Sequence, residues 1–444
     1  MPDNLKSNHR MPNQQPQSAH HDMTQDHAAC ASFAPRVLAW FAEHGRHDLP
    51  WQQHHKQSPD PYPVWLSEVM LQQTQVATVK PYFARFMASF ATVQALAAAD
   101  WADVAAHWAG LGYYARARNL HKGAQQLAAI IAETGDFPQT VDEWQQIAGV
   151  GQSTAGAVVA MGVRGYGVIC DGNVKRVLTR WAGIDGDITK SATNRILWQL
   201  AERLTPSTDS GLYAQAMMDL GATLCTKAKP ACLLCPVNAD CVARAEGNPT
   251  AYPVKAKAAA RPRQLSLALL LTDANGRVLW LTRPDSGIWG GLVCLPLLFY
   301  QKLFNQKPLE QTPAATPNTT QSAQSWQDNS LFAHQYNAAE QIIVDVLAHM
   351  GKPLADIMTA SQIADLTEQI KAPQGSVSHG LTHMEWWFKP YQIMLDDDQV
   401  NALNHALGGQ GVTFGWHTLA EAQTLALPKA MHKVLAQMPT DGGN

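Results

Sequence analysis

The sequence predicts two folded domains, an all-α domain followed by a smaller one that contains strands. Three observations lead there. The chain has 444 residues, more than one ordinary hydrophobic core organises. Apolar residues recur at helical spacing over residues 31–247, and the period shortens to that of strands from about Leu265 onward. Near the junction stands a loop with four cysteines, Cys225, Cys232, Cys235 and Cys241. It is followed by a segment, 248–263, that carries four basic side chains and no acidic one.

Composition narrows the classes. The chain is 46% hydrophobic and 16% charged, which suits a soluble globular protein, and no apolar run is long enough to span a bilayer. Residues 1–30 are rich in Gln, Asn, His and Pro and lack the apolar stretch of a secretory signal, so a disordered leader is expected. A reducing, cytoplasmic setting follows, with no membrane partner. The net charge of −3 conceals an uneven distribution. Residues 31–247 balance 18 basic against 18 acidic side chains, whereas 264–444 carry 9 and 15. Local basic clusters stand out at Arg116, Arg118 and Lys122, at Lys175, Arg176 and Arg180, and at Lys227 and Lys229. Each reads either as a solvated face or as a set of phosphate contacts.

In chain order, helices are expected over residues 64–79, 93–108 and 120–133. Thr140 and Glu143 form a capping-box pattern that opens a short helix ending near Ala148. Gly149-Val150-Gly151 then makes a tight turn, and a second helix starts at about Ser153. Its small residues Ala155, Gly156 and Ala157 allow two helices to pack closely. Residues 248–263 read as a basic linker. Strands are expected over 265–271 and 278–282, joined at Asn275-Gly276. A polar stretch, 305–330, reads as a disordered insertion within the second domain.

The cysteine loop, 225–241, has spacers of six, two and five residues. Four thiols in so short a loop indicate a metal centre or a pair of disulfides, and disulfides need an oxidising compartment. Zinc ribbons usually pair two CxxC knuckles across a longer gap, and one such knuckle is present here. Uneven all-cysteine spacing suits a [4Fe–4S] cube, in which each iron takes one thiolate.

The turn at Gly149 to Gly151 has a chemical use as well. Glycines let backbone approach a ligand, and the following helix presents unpaired N–H groups and the positive end of its dipole, a natural seat for a DNA phosphate. Twenty residues beyond it comes Cys170-Asp171-Gly172-Asn173-Val174-Lys175-Arg176. A helix–hairpin–helix followed by an aspartate and basic residues resembles the endonuclease III-like superfamily of DNA glycosylases. Within it the chain is similar to the adenine DNA glycosylases of the MutY family. The resemblance rests on Val64-Trp65-Leu66-Ser67-Glu68-Val69-Met70-Leu71-Gln72-Gln73-Thr74-Gln75-Val76, on Trp108-Ala109-Gly110-Leu111-Gly112-Tyr113-Tyr114-Ala115-Arg116-Ala117-Arg118-Asn119, on Asp171-Gly172-Asn173-Val174-Lys175-Arg176, and on Gln215-Ala216-Met217-Met218-Asp219-Leu220-Gly221.

The resemblance implies an all-α glycosylase domain over 31–247 with one [4Fe–4S] cluster on the four cysteines. It also implies a base-excision chemistry that needs two carboxylates, because the bond breaks through an oxocarbenium-like sugar and adenine must be protonated to leave. Glu68 matches the acid, and its neighbours Trp65, Val69 and Leu71 are expected to desolvate it and raise its pKa. Asp171 matches the group that stabilises the sugar cation or attacks it, and Asn173 helps position the pair. Arg46, Trp51, Leu71, Val76 and Gln215 match the adenine pocket. Gln73 and Tyr113 match residues inserted into the duplex, as base extrusion requires. Gly149, Val150, Gly151 and Ser153 match the DNA-binding hairpin. Ser153 stands where strand-cutting relatives carry a Schiff-base lysine, which implies a monofunctional enzyme.

The C-terminal part, 264–444, resembles the family's smaller Nudix-like α/β module through Gly287-Ile288-Trp289-Gly290-Gly291-Leu292-Val293-Cys294-Leu295-Pro296. It lacks the glutamate-rich box that holds magnesium in Nudix hydrolases, so it is expected to bind and not to hydrolyse. The family reads 8-oxoguanine with a Phe-Ser-His loop. Here the segment is His379-Gly380-Leu381-Thr382-His383, which leaves Thr382 and His383 as the lesion-recognition residues. The implied partner is double-stranded DNA with adenine opposite 8-oxoguanine or guanine, bound by a monomer associated with the nucleoid. Two other readings are an endonuclease III-like glycosylase/lyase for oxidised pyrimidines and a noncatalytic iron–sulfur DNA-binding protein.

Overall fold

The computed structural model describes residues 27–53, 56–256, 261, 263–284, 287–300, 343, 346, 377–381 and 384–437. Contacts divide the chain into two compact units. The first comprises Met1–Asp48, His54–Pro59 and Gly156–Ala256, and the second Leu49–Gln53, Asp60–Ala155 and Lys257–Asn444. Sequence order alone would have kept residues 31–247 together; the contacts instead group helices of that stretch with the C-terminal residues. Among the described residues no helix is long and apolar enough to cross a membrane.

In the first unit, α1 (His27–His44) begins inside the expected leader, so residues 27–30 are helical. Its apolar side chains Phe33, Val37 and Phe41 recur at four-residue spacing and are buried. They pack with α9 (Gly172–Ala182), α10 (Ser191–Leu204) and α11 (Ser210–Asp219) into one core that includes Val177, Trp181, Leu200 and Met217. Helix α9 buries Val174, Val177, Leu178 and Trp181 and ends on Gly183 in the left-handed region. Helix α8 (Gln152–Val158), whose residues from Gly156 on belong to this unit, and α11 each run on into a π-helical turn, Val159–Val163 and Leu220–Leu224. The small residue Gly156 meets an extended segment and not the helix expected there: a Cβ on it would lie 2.0 Å from the carbonyl oxygen of Val168.

The second unit starts with α2 (Pro61–Leu71), whose N-cap Asp60 accepts the Tyr62 amide, with proline in the first turn. The single helix expected over 64–79 is in fact two, α2 and α3 (Val76–Ser89), because Gln73 takes a left-handed conformation with φ 60°. The expected helix over 93–108 also breaks, into α4 (Val93–Ala98) and α5 (Trp101–Trp108). Helix α6 spans Tyr114–Thr134, and α7 (Val141–Gln145) is opened by the Thr140–Glu143 capping box, ending before Ala148.

The sheet of this unit runs β3 (Val293–Cys294), β2 (Val278–Thr282), β1 (Arg263–Thr272), β6 (Glu385–Met394), β5 (Val377–Gly380). Two further strands join it, β4 (Leu297–Tyr300) on β1 and β7 (Phe414–His417) on β2. Strands β1 and β6 pair in parallel, Leu269 opposite Tyr391, and the other pairs are antiparallel. The β1–β2 turn contains Asn275 and Gly276, as expected, and the Asp273 carboxylate closes it by accepting from the amides of Asn275 and Arg277. Leu269, Leu271, Leu279 and Leu281 bury one face of the sheet against Leu403 and Leu407 of α12 (Asp397–Gly409). In the Gly287–Pro296 motif, Trp289 stacks on Trp386 with ring centroids 4.8 Å apart.

Strands and helices of this unit meet directly. The Tyr114 hydroxyl donates to the Leu427 carbonyl at 3.2 Å, and a Cβ on Gly291 would lie 2.1 Å from Nη2 of Arg118. Arg118 in turn stacks on Trp101, 4.4 Å from the ring centroid. It therefore serves packing here. Residues 305–330, Thr382 and His383 lie outside the described residues.

Candidate functional site

The carboxylate of Asp171 is fixed by the start of α9. As N-cap it accepts the Val174 amide at 2.8 Å, and Nδ2 of Asn173 donates to its other oxygen at 3.3 Å. Burial holds its pKa above the usual carboxylate range, against the pull of those hydrogen bonds and of Arg176. Arg176 donates to Oδ1 of Asn173 at 2.9 Å, to the Gly221 carbonyl at 2.6 Å and to the Cys225 carbonyl at 2.8 Å. Gly221 is required there, since a Cβ would lie 2.6 Å from that of Asn173. A chain of contacts thus runs from Asp171 to the cysteine loop.

Arg46 and Gln215 are brought together by Asp219, which the sequence marks only as part of the Gln215–Gly221 motif. Asp219 has no exposed surface. Its Oδ1 accepts from Nε of Arg46 at 3.0 Å, from Nη2 of Arg46 at 2.5 Å and from Nε2 of Gln215 at 2.8 Å, and its Oδ2 accepts the Arg46 amide at 2.7 Å. The available signal was an acidic residue inside an otherwise apolar helix end, where only a paired carboxylate is tolerated.

Trp51, Leu71 and Val76 belong to the other unit. Trp51 is buried edge-on to Phe83 at 5.4 Å, and Leu71 and Val76 are half-buried at the facing ends of α2 and α3. Glu68 lies on α2, half-buried, among the buried Val64, Trp65, Ser67 and Val69. The inserted residues 54–59 are held from within the first unit by Arg164, whose guanidinium donates to the carbonyls of Lys56 and Gln57.

Gln73 and Tyr113 are both exposed and both left-handed, with φ 60° and 52°. Such conformations cost a non-glycine residue on the order of 1–3 kcal/mol and cluster at functional positions. Helix α2 ends on Gln73 where a glycine is usual. Arg116 beside them, which the sequence leaves open between a solvated face and a phosphate contact, is neither. Arg116 is 9% exposed, and its guanidinium donates to the carbonyls of Val69, Met70 and Gln72, to Oγ1 of Thr74, and to the carbonyls of Leu111 and Gly112. Burial lowers its pKa to about 10. Arg180 is likewise buried and spent on backbone, donating to Tyr252, Thr226 and Lys227 carbonyls. Lys122, Lys227 and Lys229 are exposed and available to a polyanion.

The hairpin's two glycines differ. Gly149 has φ 76°, and a Cβ there would lie 2.6 Å from Asn119. Gly151 is not left-handed and has nothing within 4 Å of a Cβ, so its backbone stands open to a ligand. Val150 is buried and Ser153 half-buried in the first turn of α8.

Cys225, Cys232, Cys235 and Cys241 line one cavity together with Arg180, Trp181, Leu224 and Val237. Burial pushes the Cys235 thiol up to about 12, with the other three thiols adding to the rise, so the four are close enough to feel one another's charge. Arg180 donates to Sγ of Cys225 at 3.3 Å. Among the described residues no three ligand-type side chains are gathered as a single ion demands. Four thiols lining one cavity are the number of thiolates that a four-iron cluster would require.

Residues 66–203 match the family described as "HhH-GPD superfamily base excision DNA repair protein", and residues 267–437 match "NUDIX domain". The chain is 37% identical over 265 residues to the adenine DNA glycosylase of Buchnera aphidicola subsp. Acyrthosiphon pisum, covering 60% of this chain and 73% of that one. It is 32% identical over 453 residues to the adenine DNA glycosylase of Rattus norvegicus, covering 94% and 80%. With the adenine DNA glycosylase of Homo sapiens the figures are 30% over 449 residues, 94% and 76%.

Proposed function

The chain belongs to the adenine DNA glycosylase family, and from that premise we propose that it hydrolyses the N-glycosidic bond of adenine mispaired with 8-oxoguanine or guanine in duplex DNA. It is a DNA glycosylase of base excision repair. The observation that carries the mechanistic reading is Asp171, a carboxylate fixed by the α9 N-terminus and by Asn173 in a buried setting.

In this reading the adenine leaves the stack, and Glu68 gives a proton to its ring nitrogen N7. The bond from the sugar to the base breaks, its electron pair going to the protonated adenine. Asp171 stabilises the sugar cation or bonds to it, and water adds with its proton passing to Glu68. Arg46 and Gln215, both held by Asp219, and, separately in the second unit, Trp51, Leu71 and Val76 are the residues assigned to adenine recognition. Gly149, Val150, Gly151 and Ser153 seat a phosphate, which the open backbone of Gly151 supports. With serine at 153 no amine is offered for strand cleavage. The C-terminal module serves lesion reading, with Thr382 and His383 as its contacts.

Members of this family generally carry an iron–sulfur cluster. Cys225, Cys232, Cys235 and Cys241 would hold a [4Fe–4S] cube, and the group would tie together the loop that presents Lys227 and Lys229. No chemical step on the sugar uses it.

The test is cleavage of a duplex with one adenine opposite 8-oxoguanine or guanine. Strand breaks at that adenine are expected after alkali and not before it, and Glu68→Gln removes them. No alkali-labile site at either mispair sinks the assignment. Breaks without alkali at oxidised pyrimidines transfer it to a glycosylase/lyase.

A further inference from the structure

Gln73 and Tyr113 stand on separate loops, 72–75 and 109–113, and a single buried side chain spans both. Nη1 of Arg116 reaches the carbonyls of Val69 and Met70, each at 3.0 Å, and that of Gln72 at 2.5 Å, which are terminal acceptors of α2 left without a helical partner. Nη2 reaches Thr74 at 3.3 Å on the first loop, and Leu111 at 3.3 Å and Gly112 at 3.2 Å on the second. The Arg116 guanidinium also lies 5.5 Å from the Tyr113 ring centroid. Each tip holds an unfavourable left-handed backbone at an exposed position. The second loop is braced further by Tyr82, which donates to the Ala109 carbonyl at 2.9 Å, and by Trp108, which donates to that of Gly112 at 3.1 Å.

We propose that Arg116 is a positioning residue that locks the Gln73 and Tyr113 loops into one rigid fork, so that both tips enter the duplex together when the target base is extruded. This rests on the reading that the two tips enter DNA. A planar guanidinium with forked donors can bridge four acceptors on two loops and two more at the end of α2, whereas an ammonium of equal charge offers three donors from one point. The charge is thus less important than the shape.

The test compares Arg116→Lys in the full-length protein and on a Gln73→Gly/Tyr113→Ala background. The probe is a duplex with 2-aminopurine as the target base, read by its fluorescence rise on extrusion and by single-turnover cleavage of the adenine duplex. Arg116→Lys is expected to lower both by about tenfold, a factor set by the strain it releases. Affinity for a fully matched duplex should stay within about twofold. On the background lacking the tips, Arg116→Lys should add less than about twofold, because the residue acts through them. An equal loss on both backgrounds means that Arg116 merely supports the fold, and overturns the proposal. Wild-type extrusion by Gln73→Gly/Tyr113→Ala alone shows instead that the tips do not enter DNA, and the proposal fails with that reading. Should Arg116→Lys not fold, Thr74→Val removes one of its acceptors and carries the same comparison, with a smaller loss confined to the protein that keeps the tips.

Discussion

Arg46 binds both oxygens of the Asp219 carboxylate, one through its guanidinium at 2.5 Å and the other through its own amide at 2.7 Å. Gln215 donates to the same carboxylate, so every partner of Asp219 named here is a donor. Asp219→Asn would turn an amide NH2 toward one of those donors. A loss of about 1–3 kcal/mol in urea unfolding is expected, with weaker productive binding because Arg46 and Gln215 both lose their support. An unchanged midpoint and unchanged kinetics would show that the pair is held by other contacts.

The two hairpin glycines should respond oppositely. Gly149→Ala meets Asn119 and a left-handed backbone, and is expected to cost about 2 kcal/mol or more. Gly151→Ala has room and ordinary backbone, so its thermal midpoint should hold while duplex affinity falls and depends less on salt. Full affinity in Gly151→Ala contradicts the phosphate seat.

Asp171 carries a pH signature. Its folded-state pKa lies above the ordinary carboxylate value of about 3.9 because the charge is buried. The folded chain therefore binds that proton more tightly than the unfolded chain. The stability it contributes is fully present below the unfolded value and is lost as pH rises through the folded one. Asn also caps helices well, so Asp171→Asn should fold and lose adenine excision. Its stability relative to wild type should climb as pH is raised from about 4 and level off above the folded pKa. A difference that shrinks with rising pH rules out the buried charge.

Gln73 ends α2 where the backbone favours glycine. Gln73→Gly is expected to stabilise the fold by about 0.5–1 kcal/mol and to slow base extrusion. Calorimetry and single-turnover cleavage on the same preparation check both halves. A stabilised protein of unchanged rate removes Gln73 from the DNA contact.

Much of the architecture was legible in residue order. Helical and strand periods marked the change near Leu265, the Thr140–Glu143 box opened α7, and Asn275-Gly276 marked the β1–β2 turn. Glu68 and Asp171 could be singled out by their resemblance to the family's motifs, and the four cysteines by their local spacing. Other features were hidden. The break at Gln73 was invisible because a left-handed glutamine has no sequence mark, and the helical period runs across it. Arg116 and Arg180 looked like surface charge, since a cation that satisfies backbone carbonyls and one that meets phosphate are the same letter.

The sequence by itself pointed to the family through its motifs, and to the change from helices to strands, the α7 cap and the cysteine loop, because periodicity, capping and ligand spacing are properties of neighbouring residues. Only the tertiary structure decided which charges are free for DNA and which are spent. Arg116 and Asp219 owe their roles to acceptors and donors tens of residues or more than a hundred residues away, Val69 and Met70 for the one and Arg46 for the other. The cost of burying a charge is met at such distances in the chain only once the fold has brought the partners together.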